Sequence, residues 1–392
     1  MERSNMKLGF VSTYPPRACG IATFTQDLVR ELDKVSSIAH PAVAAVSKQT
    51  MEYSSRVRME IDQQNRESYL HAAYMLNRSP LDLVVVEHEY GIFGGQDGSY
   101  ILDFAAALEK PLVTTLHTVL PQPSPNQRHI IQAMAQYSQR IVTMAGRSAS
   151  LLESVYGVPS EKIAVIHHGV PLLRQTKSRE ELKKEHGLSG RTVLSTFGLL
   201  SPGKGIEYGI RAAARASLHH PDLIYLILGK THPCVREQQG ESYRQKLVQL
   251  VQDLGVEDKV RFVNKYLSKK EIVDALCMSD IYMTPYLGRD QAVSGTLAYA
   301  AGYGRVILST PYRYAEEMLA DGRGLLSDFK DDAAMALHIC QVIEHPEKKA
   351  CMERKTAALG KTMLWDRVAQ DYAALFRQIL DEGKNANESL VG

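Results

Sequence analysis

At 392 residues the chain is too long for one ordinary α/β core, so two domains are the natural reading. Apolar content of 44% and charged content of 23% are those of a soluble globular protein. The 46 Lys and Arg against 44 Asp and Glu leave a formal charge of +2, which does not point to nucleic acid as the main partner, and no run reaches the roughly 18 apolar residues of a membrane-spanning helix.

The first residues, MERSNMKLGFVSTYPP, are charged and then enter a strand, so they do not read as a signal peptide. KLGFVS (7–12) is a strand, and the Pro-rich TYPPRACG loop follows it. Phe24, Leu28, Leu32 and Val35 share one helical face. PAVAAV (41–46) reads as a strand, and the polar run 48–67 as a surface loop with a short element. LDLVVVEHEYGIFGG is a buried strand with a Gly-rich exit, and PLVTTLHTVLP repeats that design. Residues 126–139 read as a helix, RIVTMA as a strand, SASLLESVYG as a helix ending at Gly157, and KIAVIHHGVP as a further strand. Strands alternating with helices predict a parallel sheet covered on both faces.

Residues 172–190 are charged and lack buried periodicity, as expected of a linker and helical lead-in. The alternation then restarts. RTVLSTFGLLSPGKG, LIYLILGKTHP, KVRFVNKYLS, DIYMTPY and RVILSTPY supply strands, with helices at 206–220 and 240–254 among those between them. Near the end, Leu364, Val368, Tyr372, Leu375 and Ile379 form one face of an amphipathic helix, and 382–392 is expected to fray. The expected boundaries are 1–171 with 366–392 for the first domain and 172–365 for the second.

Five cysteines (Cys19, Cys234, Cys277, Cys340 and Cys351) lack CxxC spacing. This speaks against a metal centre or disulfide framework and fits a reducing cytoplasm.

The densest chemistry lies between Thr284 and Glu317. The polar loop Gly288, Arg289, Asp290, Gln291, Ser294, Gly295 and Thr296 opens a small-residue helix at Leu297. Helix starts carry unpaired N–H groups and partial positive charge, which suits phosphate. Ser294 or Thr296 is the expected cap, and Gly295 allows close approach of a ligand. A nucleotide-linked diphosphate is therefore expected in the second domain. Other strand exits carry Arg17 and Gly20, Glu87 to Glu89, His117, His167 and His168, and Gly203 to Gly205. Strand alternation puts Glu87 and Glu89 on one side; one could bind acceptor hydroxyls while the other caps a helix or pairs with Arg17. His88 between them faces either an acceptor or the opposite layer. Gly203 and Gly205 serve either turn geometry or phosphate approach.

Six motifs in order, YPPRACGIATF, VEHEYGIFGG, TLHT, VIHHGV, FGLLSPGKG and DQAVSGTLAYAAG…STPYRYAEEMLADGRG, resemble those of retaining glycosyltransferases of family four. The resemblance runs from residue 14 to residue 324. It implies the GT-B architecture: two Rossmann-like, doubly wound parallel-sheet domains facing a cleft, with the last helix returning to the first domain. It implies transfer of a hexose from a UDP- or GDP-sugar to a hydroxyl of a glycan, oligosaccharide or lipid-linked saccharide, with the anomeric configuration kept. No metal or other cofactor is implied, and no Asp-x-Asp pair is present to hold one. A cytoplasmic location is implied, with room for a peripheral contact at the inner face of the membrane.

By the resemblance, Lys204 neutralises the donor phosphates, Gly20 lies near them, and His117 lies near the transferred sugar. Arg289, Asp290, Gln291, Ser294, Gly295 and Thr296 fall in the donor loop, and Arg17, His88 and Glu89 on the acceptor side. His117, Lys204 and Glu89 form the expected catalytic set. The chain departs from the family pattern twice. Leu199 stands where an arginine is usual, and Arg289 and Leu297 stand where two glutamates are usual. Those departures keep two alternatives in view: a sugar phosphorylase or sucrose-synthase-like enzyme, and a non-catalytic sugar-nucleotide-binding subunit.

Overall fold

The computed structural model describes residues 5–173 and 175–391, and residues 386–391 by their backbone alone. The chain divides into two compact units, Met1–Gly169 with Leu364–Gly392, and Val170–Met363.

The first unit is a seven-stranded sheet. Its strands are β1 (Leu8–Ser12), β2 (Ala42–Ser47), β3 (Val57–Asp62), β4 (Leu83–His88), β5 (Leu112–Leu116), β6 (Arg140–Thr143) and β7 (Ile163–Val165). They lie in the order β3-β2-β1-β4-β5-β6-β7, and every pairing is parallel. β1 and β4 are buried throughout, because helices cover both faces. The order reverses between β1 and β4, the place where open α/β sheets build ligand crevices at their carboxyl ends.

The second unit has β8 (Thr192–Phe197), β9 (Leu223–Leu228), β10 (Val260–Val263), β11 (Ile281–Thr284), β12 (Val306–Ser309) and β13 (Leu325–Leu326). The order β10-β9-β8-β11-β12-β13 is also all parallel and reverses between β8 and β11. At the start of β11 the carboxylate of Asp280 accepts from the Val193 N–H, Lys183 and Lys349, and Arg179 stands 3.5 Å away.

Three expectations change. The run 48–67 holds an edge strand, β3, and the first residues of a helix, Arg66–Asn77. β3 alternates half-buried and exposed positions, so it lacks the apolar run of an inner strand. Val35 lies beyond the first helix, which ends at Leu32. The last helix spans Trp365–Val391, so the backbone stays helical where fraying was expected. Val368, Tyr372, Phe376 and Ile379 are its buried face in the first unit. Trp365 packs there edge-on to Phe24, against a glycine, Gly169, whose missing Cβ would stand 2.0 Å from the indole. Among the described residues no helix is long and apolar enough to cross a membrane.

Candidate active-site loops

In the first unit the carboxyl ends of β4 and β5 bring Glu87 and His117 together. Glu87 Oε2 lies 2.9 Å from His117 Nε2, and the two groups share a proton there. Glu87 is fully buried, and its other oxygen, Oε1, has no hydrogen-bond partner among the described residues. Burial raises the Glu87 pKa, and the bond to His117 opposes that rise. Phe24 meets the His117 ring edge-on at 4.8 Å and holds its plane. With Nε2 committed to Glu87, Nδ1 is the nitrogen left for a ligand. Behind the pair, Thr115 bonds Tyr372 of the last helix at 3.2 Å.

The neighbouring residues divide sharply. Glu89 accepts from the Tyr90 N–H and from Thr118, so it caps the short turn Tyr90–Ile92. Arg17 donates to the Val46 carbonyl and to Gln63 rather than to a glutamate. Gly20 opens the helix Gly20–Leu32 behind its cap Cys19, and space around it is open. His88 is completely buried, and neither of its nitrogens has a hydrogen-bond partner among the described residues. Its ring lies against Tyr90 and Phe93, and burial, with the charge of His117, lowers its pKa to about 3. It is a neutral core residue facing the opposite layer. This corrects its place among the acceptor-contacting residues.

In the second unit Lys204 ends the short turn Pro202–Lys204 after β8. Its Nζ stands 3.7 Å over the ring of Tyr286, and among the described residues no carboxylate pairs with it. Tyr286 stacks on Tyr312 and bonds Thr296 through its hydroxyl at 2.6 Å. The cation is thereby tied to the start of the helix Gly295–Gly302. There Ser294, rather than Thr296, is the cap and accepts from the Leu297 N–H. Among the described residues the N–H groups of Gly295 and Thr296 have no acceptor.

Gly205 follows Lys204 with φ +57°, and a Cβ on it would stand 2.1 Å from the Pro285 carbonyl oxygen. Gly203 has open space on that side. The two glycines, alike in sequence, therefore differ: Gly205 is demanded by the turn and Gly203 is not. Around the loop, Asp290 pairs with Arg313, Gln291 folds back to the Val293 carbonyl, and Arg289 is exposed. Leu297, in place of a glutamate, is fully buried.

Sequence reasoning named Lys204, His117 and Ser294 but did not link Glu87 to His117, nor Tyr286 to Lys204. A carboxylate inside the buried run LVVVEH was the available signal for the first, since such a charge needs a partner. The second had no comparable signal. Among the described residues no group of His, Cys, Asp or Glu converges to hold a metal ion.

Comparison with known proteins gives the family and the fold. The family described as "Glycosyl transferases group 1" matches residues 178–358, and "Glycosyltransferase Family 4" matches residues 19–174. A D-inositol 3-phosphate glycosyltransferase of Acidothermus cellulolyticus is 26% identical over 299 residues, 70% of this chain. The match spans 64% of that relative's length. Among solved structures, HepE of Anabaena in complex with UDP and glucose superposes with a TM-score of 0.74 at 16% identity, covering 95% of this chain and 100% of that one. Sucrose-phosphate synthase of Thermosynechococcus elongatus gives 0.76 at 14% identity, covering 96% and 100%.

Proposed function

Because the chain belongs to the group 1, family four glycosyltransferases of GT-B architecture, we propose that it is a retaining hexosyltransferase using a UDP- or GDP-sugar. The acceptor is a hydroxyl of a glycan, oligosaccharide or lipid-linked saccharide, and the reaction runs in the cytoplasm or at the inner face of the membrane.

One observation carries the reading. Lys204 presents an ammonium group without a carboxylate partner, over the Tyr286 ring that is bonded to the helix-start residue Thr296. A fixed cation beside unpaired N–H groups suits a diphosphate, first bound and then leaving. In the proposed reaction the bond between the anomeric carbon and the diphosphate breaks as the acceptor oxygen approaches on the same face. The acceptor proton passes to the departing phosphate oxygen. Lys204 and the N–H groups of Gly295 and Thr296 stabilise the charge that builds there, and one such contact is worth about 3 kcal/mol of barrier. His117, oriented by Glu87, offers Nδ1 to a sugar hydroxyl. No residue is assigned to the roles of the two usual glutamates.

The test is incubation with UDP- and GDP-hexoses, with the released or transferred sugar followed by proton NMR. Turnover with the donor's anomeric configuration kept supports the proposal, and an inverted first product refutes the retaining step. Binding of nucleotide sugars with no turnover toward water or any acceptor would favour the non-catalytic reading, which the buried Leu297 motivates. Phosphorolysis without nucleotide would favour the phosphorylase.

A further inference from the structure

A polar cavity lies in the first unit, away from the Glu87–His117 pair. Its volume is about 360 Å³, and it is lined by Tyr14, Arg30, His40, Ser55, Arg56 and Arg58 among others. Its walls are the later part of the helix Gly20–Leu32 and the residues leading into β2 and β3. His40 to Ala42 and Ser54 to Arg58 stand at the amino-terminal ends of β2 and β3, whereas Tyr14 belongs to the loop that leaves the carboxyl end of β1.

None of the lining residues is acidic. Outside the lining, Asp33 takes Arg56 through both its oxygens and His40 through Oδ1, which offsets one guanidinium and fixes its plane. Arg30 and Arg58 have no carboxylate partner among the described residues. Tyr14 supplies an independent observation. Its side chain is 4% exposed, it lines the cavity, and its hydroxyl has no hydrogen-bond partner among the described residues. The hydroxyl oxygen itself is not a buried, unpartnered atom, so it opens to the cavity and can donate there. Burial raises the pKa of that phenol, the charges of Arg56 and Arg30 oppose the rise, and those of Asp33 and Asp27 add to it, so cations and carboxylates both act on the group.

Guanidinium groups from the first helix and from β3 with its lead-in, a donor hydroxyl and no carboxylate in the wall make a receptor for a small oxyanion. We infer that this cavity is a binding site for a phosphate group, taken as the free ion or as the monoester of a sugar. Arg30 and Arg58 supply the uncompensated charge, Arg56 a pre-oriented fork, and Tyr14 a hydrogen bond from the cavity floor. The site does not depend on the proposed transferase reaction. Tyr14 does continue directly into Pro15, Pro16 and Arg17, so an occupied cavity would hold the root of the loop that leads to Gly20.

The test is calorimetric titration of the full chain with inorganic phosphate and, separately, with a hexose 6-phosphate, at constant ionic strength. Four proteins are compared: wild type, Arg30→Gln/Arg58→Gln, Tyr14→Phe and Lys204→Ala. The site predicts saturable binding to wild type and Lys204→Ala alike. It predicts affinity lowered at least roughly tenfold in the double variant and several-fold in Tyr14→Phe, as expected for lost charge-assisted hydrogen bonds. Tighter binding of the hexose phosphate would assign the monoester as the ligand, and equal or weaker binding the free ion. Circular dichroism of the exposed-arginine variant confirms its fold. Unchanged affinity in the double variant, loss of binding in Lys204→Ala alone, or no saturable binding to wild type would each overturn the assignment.

Discussion

Replacing Gly205 by alanine isolates the turn that presents Lys204. The new Cβ would stand 2.1 Å from the Pro285 carbonyl oxygen and within 3.2 Å of the Leu287 side chain, at a backbone φ of +57°. The left-handed conformation alone costs about 1–2 kcal/mol for a residue with a Cβ. The contact with Pro285 cannot be relieved by a rotamer change, because the blocking atom is backbone. The turn must move away from the segment that follows β11. That segment carries Tyr286, over which Lys204 sits. A total loss of about 2–4 kcal/mol in folding stability is expected, within the range of strain at special backbone positions. Nucleoside diphosphate affinity should fall about tenfold or more, because the cation leaves its place. Gly203→Ala, with open space around its Cβ, is the matched control and should change either quantity by less than about 0.5 kcal/mol. Urea unfolding and calorimetric titration with UDP and GDP measure both. If Gly205→Ala binds diphosphate like wild type while its stability falls, the Pro202–Gly205 turn does not position the diphosphate's cation, and the site reasoning fails.

Three other outcomes follow from buried charge. His88, neutral with a folded pKa of about 3 against 6.5 unfolded, keeps its contribution above pH 6.5 and loses it as pH falls toward 3, since only the unfolded chain takes up the proton. At about 1.4 kcal/mol per pH unit it should remove about 2 kcal/mol by pH 5, and the difference in urea stability between pH 7 and pH 5 should shrink by that amount in His88→Phe. Glu87→Gln keeps the shape of the pair but replaces a charge-assisted bond, so the turnover rate should fall about tenfold with stability changed little; an unaltered rate would remove His117 from the reaction. Asp280→Asn would leave the nearly buried Lys183 with only the exposed Glu180, 3.3 Å away, and would take from Lys349 its carboxylate, and urea unfolding should show a loss of about 3 kcal/mol.

Much of the fold was legible because inner parallel strands are nearly continuous apolar runs. LVVVEH and LIYLIL could hardly be anything else, and both are buried throughout. The edge strand β3 was not legible, because VRMEID fully buries only Ile61 and its register comes from β2. The helix Arg66–Asn77 buries only Tyr69, Ala72 and Ala73, too small a stripe to stand out. At the candidate site, the cap at Ser294 and the role of Lys204 rest on local rules of helix ends and turns. The pairing of Glu87 with His117 rests on β4 lying beside β5 with Glu87 opposite Thr115, a register that local pattern does not contain. The same alternation that put Glu87 and Glu89 on one side put His88 on the other, and burial decided between its two readings.

The most direct test of the central claim is calorimetric binding of UDP- and GDP-hexoses to wild type and to Lys204→Ala. Micromolar to low-millimolar binding of one nucleotide class, weakened about a hundredfold by the substitution, is the predicted result. Equal affinity in the two proteins, or no binding of either class to wild type, would contradict it.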